Sequence, residues 1–352
     1  KYGIRTLKTK AAILVEIKKP LEIVELEIPT LREGQILVKI TNSGICGTQL
    51  MEIDGRKGED KWLPHCLGHE ATATVLEKHV SVRKFNLDDP VVLSWIKGSG
   101  MEAGGCQYIW DGIKVNAGPI TTFQEYAIVS ENRATKLNYP LPDAAYVLLG
   151  CAAPTGMGAV MNVLNGKKGH SIAILGAGGI GFCSILMAKE IGMHPIIVVD
   201  VSDHRLKLAK AAGADVVINS KNKNVSDAVR RQEKDGLDFC VEATGNKAVI
   251  ESLMGCLKSR SGKAVVVGNV SYGESVNIFP ADFNDGKTLL GTWGGNSDPD
   301  HDMGLFSDII EKNKQFVDKL CPTMFCLEEI NDALDAMRKK TVGRAVLNLS
   351  SQ

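Results

Sequence analysis

The chain has 352 residues, 44% of them hydrophobic and 23% charged, with 41 basic residues against 41 acidic ones. That length exceeds the usual single domain, so two domains are expected, and zero net charge excludes the basic field that draws a protein to nucleic acid or an anionic membrane. The nine cysteines, odd in number and scattered, read as reduced thiols rather than a disulfide framework, which fits a cytoplasmic protein acting on a small neutral or weakly charged substrate.

In chain order, Lys1 to Ile17 mixes charges among apolar residues and lacks a secretory pattern. No later window reaches the ~18 to 20 apolar residues of a membrane span. The first 150 residues carry β-branched runs, Ile36 to Thr41, Ala71 to Leu76 and Pro90 to Leu93, separated by Gly, Pro and Asp. They predict a mainly β domain. The glycine-rich stretch Lys97 to Gly118 reads as a loop. From Ser171 the pattern alternates, with strands expected at Ile172 to Leu175, Pro195 to Val199, Val216 to Asn219, Leu237 to Glu242 and Ala264 to Gly268. Helices are expected between them at 180–192, 203–212, 225–234 and 246–258, the second capped by Ser202 and stopped at Gly213. This is the pattern of βαβ units, hence a parallel sheet covered on both faces in an α/β protein. After Gly295 come helices near 302–314 and 328–340 and a closing strand from Ala345 to Leu349. Cys183, Cys240 and Cys256 sit in apolar runs and read as small core residues.

Gly176-Ala177-Gly178-Gly179-Ile180-Gly181 follows an expected buried strand and opens a helix. Gly176, Gly178, Gly179 and Gly181 permit a tight turn and close approach to a pyrophosphate, while the backbone through Ile180 offers amide donors at the helix start. Such a pattern alone arises by chance in many α/β turns. Here Asp200 closes the next strand roughly twenty residues on, where a carboxylate accepts from the adenosine ribose hydroxyls and repels a 2'-phosphate. NAD is therefore expected rather than NADP, with Arg205, one turn into the following helix, beside the adenine or in solvent.

Three further segments stand out: Gly44-Ile45-Cys46-Gly47-Thr48, Gly68-His69-Glu70 and Gly150-Cys151-Ala152-Ala153-Pro154-Thr155-Gly156. Two thiolates and an imidazole suit zinc and leave a fourth position for water or substrate. Each taken singly reads equally well as a buried cysteine or a satisfied histidine.

Together, in this order ahead of the glycine fingerprint, they make the chain resemble the zinc-containing alcohol dehydrogenases of the medium-chain dehydrogenase/reductase superfamily, nearly end to end. The resemblance implies a discontinuous GroES-like catalytic domain over 1–152 and 296–352, a Rossmann NAD-binding domain with a doubly wound parallel sheet over 153–295, and an active-site cleft between them. It implies Cys46, His69 and Cys151 as ligands of one catalytic zinc, and Glu70 as a carboxylate able to enter the coordination sphere. Thr48 would bond the substrate oxygen and begin the proton exit, and Trp95 would line the substrate pocket. Thr155, Val267 and Gly268 would border the nicotinamide, and Arg344 would lie near the pyrophosphate and Glu70. Zinc so held acts as a Lewis acid on an alcohol or carbonyl oxygen while hydride passes between carbon and NAD. A homodimer or homotetramer is implied as well.

The chain also departs from that family. Lys97 to Gly118, where many relatives hold a structural zinc with four cysteines, contains only Cys106, so one zinc per chain is expected, with the lobe held by packing. Gln49 stands where relatives commonly carry an Asp supporting the zinc-bound histidine. Met51 replaces a histidine at the outer end of the proton relay, leaving water, Glu52 or Asp54 as the exit. Two other readings are a zinc-free quinone or enoyl reductase on the same fold, against which the three ligands argue, and a catalytically silent cofactor-binding sensor.

Overall fold

The computed structural model describes residues 7–138, 144–322 and 324–350; the first six residues of the N-terminal stretch read above lie outside them. The chain forms two compact units, one of Lys1–Cys151, Asp298–Gly304 and Cys321–Gln352, the other of Ala152–Ser297 and Leu305–Leu320. Residues 305–320, grouped with the first domain on sequence, thus pack with the second. Their helix contacts include Lys312 Nζ to Glu190 Oε2 at 2.7 Å and Lys189 Nζ 5.9 Å from the Phe316 ring.

The first unit is mainly β. Strands Lys8–Leu14, Glu22–Glu27, Cys106–Trp110, Ile113–Ala117 and His65–Cys66 close into a small barrel, and a second sheet is built around the long strand Gln35–Ile45. That strand is flanked by Glu70–Lys78 on one side and by Ala345–Asn348 on the other, with Pro90–Ser94 beyond Glu70–Lys78. Alternate residues such as Val38, Ile40, Ala73, Val91 and Leu347 meet in one apolar core, whose burial drives the sheet together.

The segment expected as a loop at 97–118 contains an antiparallel hairpin, Cys106–Trp110 with Ile113–Ala117, and this corrects the sequence reading. Trp110 pairs with Ile113 across a two-residue turn, Asp111-Gly112, whose φ angles are 48° and 82°. Both are positive, as a type I′ hairpin turn requires. The hairpin packs Cys106, Tyr108 and Val115 into a core with Cys66. Its buried Tyr108 hydroxyl accepts from Gln124 Nε2 at 3.0 Å and from the Ile128 N–H at 2.8 Å.

The second unit holds a six-stranded sheet in the order Val216–Asn219, Ile196–Asp200, Ile172–Leu175, Phe239–Glu242, Lys263–Val266, Thr288–Leu290, every pair parallel. The five expected strands are present, and Thr288–Leu290 adds a sixth. The order reverses between Ile172–Leu175 and Phe239–Glu242, the switch point at whose carboxyl edge open α/β sheets bind ligands. The fingerprint glycines lie there: Gly176 follows the first of these strands, and helix Gly179–Ile191 starts within the motif. Gly181 is required by close packing, since a Cβ would collide with the Gly176 carbonyl. Ser202 caps helix Asp203–Ala212 by accepting from the Arg205 N–H, and Gly213 ends it. Among the described residues no single helix is long and apolar enough to cross a membrane.

Candidate active site

Strand register gathers residues far apart in sequence at one end of the first unit's sheet. Ser43 pairs with Ala71, Glu70 with Ser94, and Ala345 with Ile45. Cys46 leaves the end of Gln35–Ile45, His69 precedes the start of Glu70–Lys78, Trp95 follows Pro90–Ser94, and Arg344 precedes Ala345–Asn348. All four therefore emerge together. The Gly150 carbonyl accepts from Ser94 Oγ at 2.8 Å, which brings the next residue, Cys151, to the same end.

One ligand atom each from Cys46, His69 and Cys151 lies within 4.8 Å of the others. The two sulfurs are 3.9 Å apart, close to the roughly 3.8 Å that two ~2.3 Å zinc–sulfur bonds subtend at a tetrahedral centre. Among the described residues the buried His69 Nε2 has no hydrogen-bond partner, an orphaned donor-set atom that a metal ion would satisfy. The thiols share one hydrogen bond. That bond, opposed by burial but helped by the Arg344 charge and His69, draws Cys46 well below the ordinary thiol value; the same bond, with burial, pushes Cys151 up.

Glu70 is fully buried and outside this trio, with Oε1 bonded to Arg344 Nη2. Burial pushes its carboxyl up while Arg344 opposes the shift. Gly44 faces it on the neighbouring strand, where a Cβ would run into the Glu70 carboxylate. Thr48 Oγ1 is 3.7 Å from Cys46 Sγ, and the Trp95 ring centroid is 6.4 Å from that of His69.

Gln49 does more than its sequence position suggests. Its Oε1 accepts from the Cys46 N–H at 2.9 Å, closing the first turn of helix Gly47–Ile53. The amide nitrogen is left 2.6 Å from His69 Nδ1. With its oxygen turned to the Cys46 N–H, the amide offers the ring its N–H rather than an acceptor.

In the second unit, Asp200 is buried, accepting from the Ala177 N–H at 2.7 Å and the Ser202 N–H at 2.9 Å. It fastens the fingerprint turn to the next strand. Arg205 Nη1 lies 3.8 Å from where a Gly178 Cβ would stand, so its head group borders the glycine turn. The Val267 and Gly268 N–H groups bond the Glu242 carbonyl at 2.8 and 3.1 Å, placing both residues at the carboxyl edge of the sheet. Thr155 is buried, with no partner for its hydroxyl among the described residues. The sequence reading missed Glu242, a fully buried carboxylate at this edge that accepts from the Thr244 and Gly245 N–H groups. Its signal was an acid closing an apolar strand, as at Asp200.

Comparison with known proteins agrees with this architecture. A family model described as "Alcohol dehydrogenase GroES-like domain" matches residues 32–140, and one described as "Zinc-binding dehydrogenase" matches residues 179–311. The S-(hydroxymethyl)glutathione dehydrogenase of Synechocystis sp. is 28% identical over 97% of this chain and 100% of its own length. The crystal structure of benzyl alcohol dehydrogenase from Acinetobacter calcoaceticus superposes with a TM-score of 0.87 at 28% identity, covering 97% of this chain and 99% of that one. An alcohol dehydrogenase zinc-binding domain protein from Burkholderia ambifaria gives 0.88 at 28% identity with the same coverage. With both halves matched in order and Cys46, His69 and Cys151 brought together, the chain belongs to the zinc-type alcohol dehydrogenases of the medium-chain dehydrogenase/reductase family.

Proposed function

We propose that the protein is a zinc-dependent, NAD-linked dehydrogenase interconverting an alcohol and its aldehyde or ketone, with Cys46, His69 and Cys151 holding one zinc per chain. The observation that carries this reading is the convergence of two thiols and an unpartnered imidazole nitrogen within 4.8 Å. A zinc-free reductase has no use for such a trio. Bound zinc supplies a Lewis acid that lowers the pKa of the substrate hydroxyl. Thr48 would accept the proton from that hydroxyl while its own hydroxyl hydrogen is passed outward. Met51, a thioether, cannot pass it on; Glu52 borders the same cavity as His69 and meets Lys57 Nζ at 3.6 Å, whereas Asp54 is bonded more tightly to Arg338 at 2.9 Å and does not line that cavity. The exit proposed therefore runs by Glu52 to water.

The relatives named above for S-(hydroxymethyl)glutathione and benzyl alcohol support a CH–OH donor. A sugar or polyol falls within the same class. Fold alone does not choose among them.

NAD is proposed because Asp200 sets a carboxylate beside the fingerprint turn. Asp200→Asn keeps the size and one acceptor but removes the charge. The KM for NAD is expected to rise about tenfold, the scale of a charge-assisted hydrogen bond, while the KM for NADP falls. Initial rates with each cofactor check this, and an unchanged preference would remove Asp200 from the site.

Gln49 tunes the metal. While its amide donates to Nδ1, the hydrogen of a neutral His69 ring sits on Nε2, the atom aimed at the trio. Coordination through Nε2 then requires the amide to turn and release the Cys46 N–H. Gln49→Asp offers acceptors to both groups, and zinc is expected to bind ~10- to 100-fold more tightly in a chelator competition. Equal or weaker binding would contradict this role.

A further inference from the structure

Three turns meet at the carboxyl edge of the second unit's sheet: the fingerprint turn after Ile172–Leu175, the Thr244-Gly245 turn after Phe239–Glu242, and the Val267-Gly268 turn after Lys263–Val266. A Cβ on Gly176 would stand 2.9 Å from Thr244 Cγ2, and one on Gly268 would stand 2.1 Å from the Gly245 nitrogen, so the turns touch in series. At the junction lies Glu242, fully buried and paired with no basic side chain among the described residues. Its Oε1 accepts from the Thr244 N–H at 2.7 Å, from the Gly245 N–H at 3.1 Å and from the Thr244 hydroxyl. Its backbone carbonyl takes the Val267 and Gly268 N–H groups, and its Oε2 would lie 2.7 Å from a Gly268 Cβ. Burial pushes the carboxyl up, while the Thr244 hydroxyl and the N–H groups of Thr244 and Gly245 oppose the shift.

Burying a carboxylate without a counter-charge is unfavourable, and an apolar residue closing the strand would avoid it. It would also leave two N–H groups of the second turn without their acceptor and release that turn from its neighbours. What the carboxylate secures is the spacing of the last two turns, at the edge where an open α/β sheet binds its ligand. We propose that Glu242 is a positioning residue for the nicotinamide: its side chain holds the Thr244-Gly245 turn against the Val267-Gly268 turn and so sets the wall that the ring meets. The adenosine end is left to the fingerprint turn and Asp200. This rests on the NAD-linked reading above, with Val267 and Gly268 beside the nicotinamide.

ADP-ribose carries every part of NADH except the nicotinamide, so comparing the two ligands isolates the nicotinamide end. Calorimetric titration gives the Kd of each for the wild type, Glu242→Leu, Glu242→Gln and Thr244→Val. In Glu242→Leu the Kd for NADH is expected to rise about tenfold, the scale of one lost buried hydrogen bond, while that for ADP-ribose stays within about twofold. Glu242→Gln keeps the acceptor and the size and should bind NADH within about twofold of the wild type. Thr244→Val keeps the methyl that Gly176 faces but removes one of the three donors to Oε1, and a rise of about threefold confined to NADH is expected. An unchanged Kd for NADH in Glu242→Leu, or an equal loss of both ligands, overturns the proposal. A loss in Glu242→Gln as large as in Glu242→Leu also overturns it, since charge rather than the acceptor would then be the cause. If Glu242→Leu does not fold, Thr244→Val decides: the threefold loss confined to NADH supports the brace, and no change rejects it. A wild type that binds neither ligand removes the NAD reading and the proposal with it, whereas a wild type that binds both, with indifferent variants, removes the proposal alone.

Discussion

Cys151→Ser is expected to lower the rate of alcohol oxidation by at least about a thousandfold while leaving the protein folded. The side chain is buried, and its sulfur lies 3.9 Å from that of Cys46, so serine fits the space but replaces a soft thiolate by a hydroxyl that stays protonated at neutral pH. Zinc is then left with one sulfur and one nitrogen, a poor set for a metal that favours thiolate. Lewis-acid activation contributes several kcal/mol to the barrier change, and about 4 kcal/mol corresponds to three powers of ten in rate. Zinc content should fall with the rate. A variant that keeps both would show that this sulfur is not a ligand.

Arg344→Met should produce the largest loss of stability, about 3 to 5 kcal/mol in denaturant unfolding, the cost of stranding one member of a buried ion pair. Arg344 is 3% exposed and Glu70 is fully buried, and the guanidinium is the hydrogen-bond partner of Glu70 Oε1. Methionine fills much of the volume but leaves the carboxylate unpaired. The double variant Arg344→Met with Glu70→Gln removes the stranded charge and should recover a large part of the loss, giving a coupling of more than about 1 kcal/mol between the two sites. Additive losses would mean that the pair is not coupled in solution.

The cofactor half was the more legible in the sequence, because its information is local. Strand, glycine turn, helix and Asp200 follow one another within about thirty residues, the length of one βαβ unit. Strand Thr288–Leu290 escaped notice because all three of its residues are half-buried, which leaves no alternation to read. Helix Lys314–Leu320 was hidden by the break at Asn313, whose side chain turns back to the Ile309 carbonyl at 2.8 Å. The hairpin at Asp111-Gly112 was readable in principle, but the surrounding glycines masked two short strands whose alternation places Tyr108 and Val115 inside.

The proposed metal site was legible only through resemblance. Nothing in the spacing of positions 46, 69 and 151 brings them together; the antiparallel register of Gln35–Ile45 with Glu70–Lys78 does so for the first two, set by core packing over the whole sheet, and the bond from Ser94 to the Gly150 carbonyl adds the third. The direction of the Gln49 amide is likewise decided by the Cys46 N–H it caps. The junction at Glu242 joins Gly176, Gly245 and Gly268 from the ends of three strands, a contact that no single segment contains.

The most direct test of zinc-dependent oxidation is zinc per chain in the isolated protein, measured with NADH formation on a panel of alcohols before and after chelation, with Cys151→Ser in parallel. About one zinc per chain is expected, with NADH formation lost on chelation and restored by adding zinc to the wild type but not to the variant. Wild-type protein without zinc and without rescue on its addition, or activity indifferent to the metal, would contradict it.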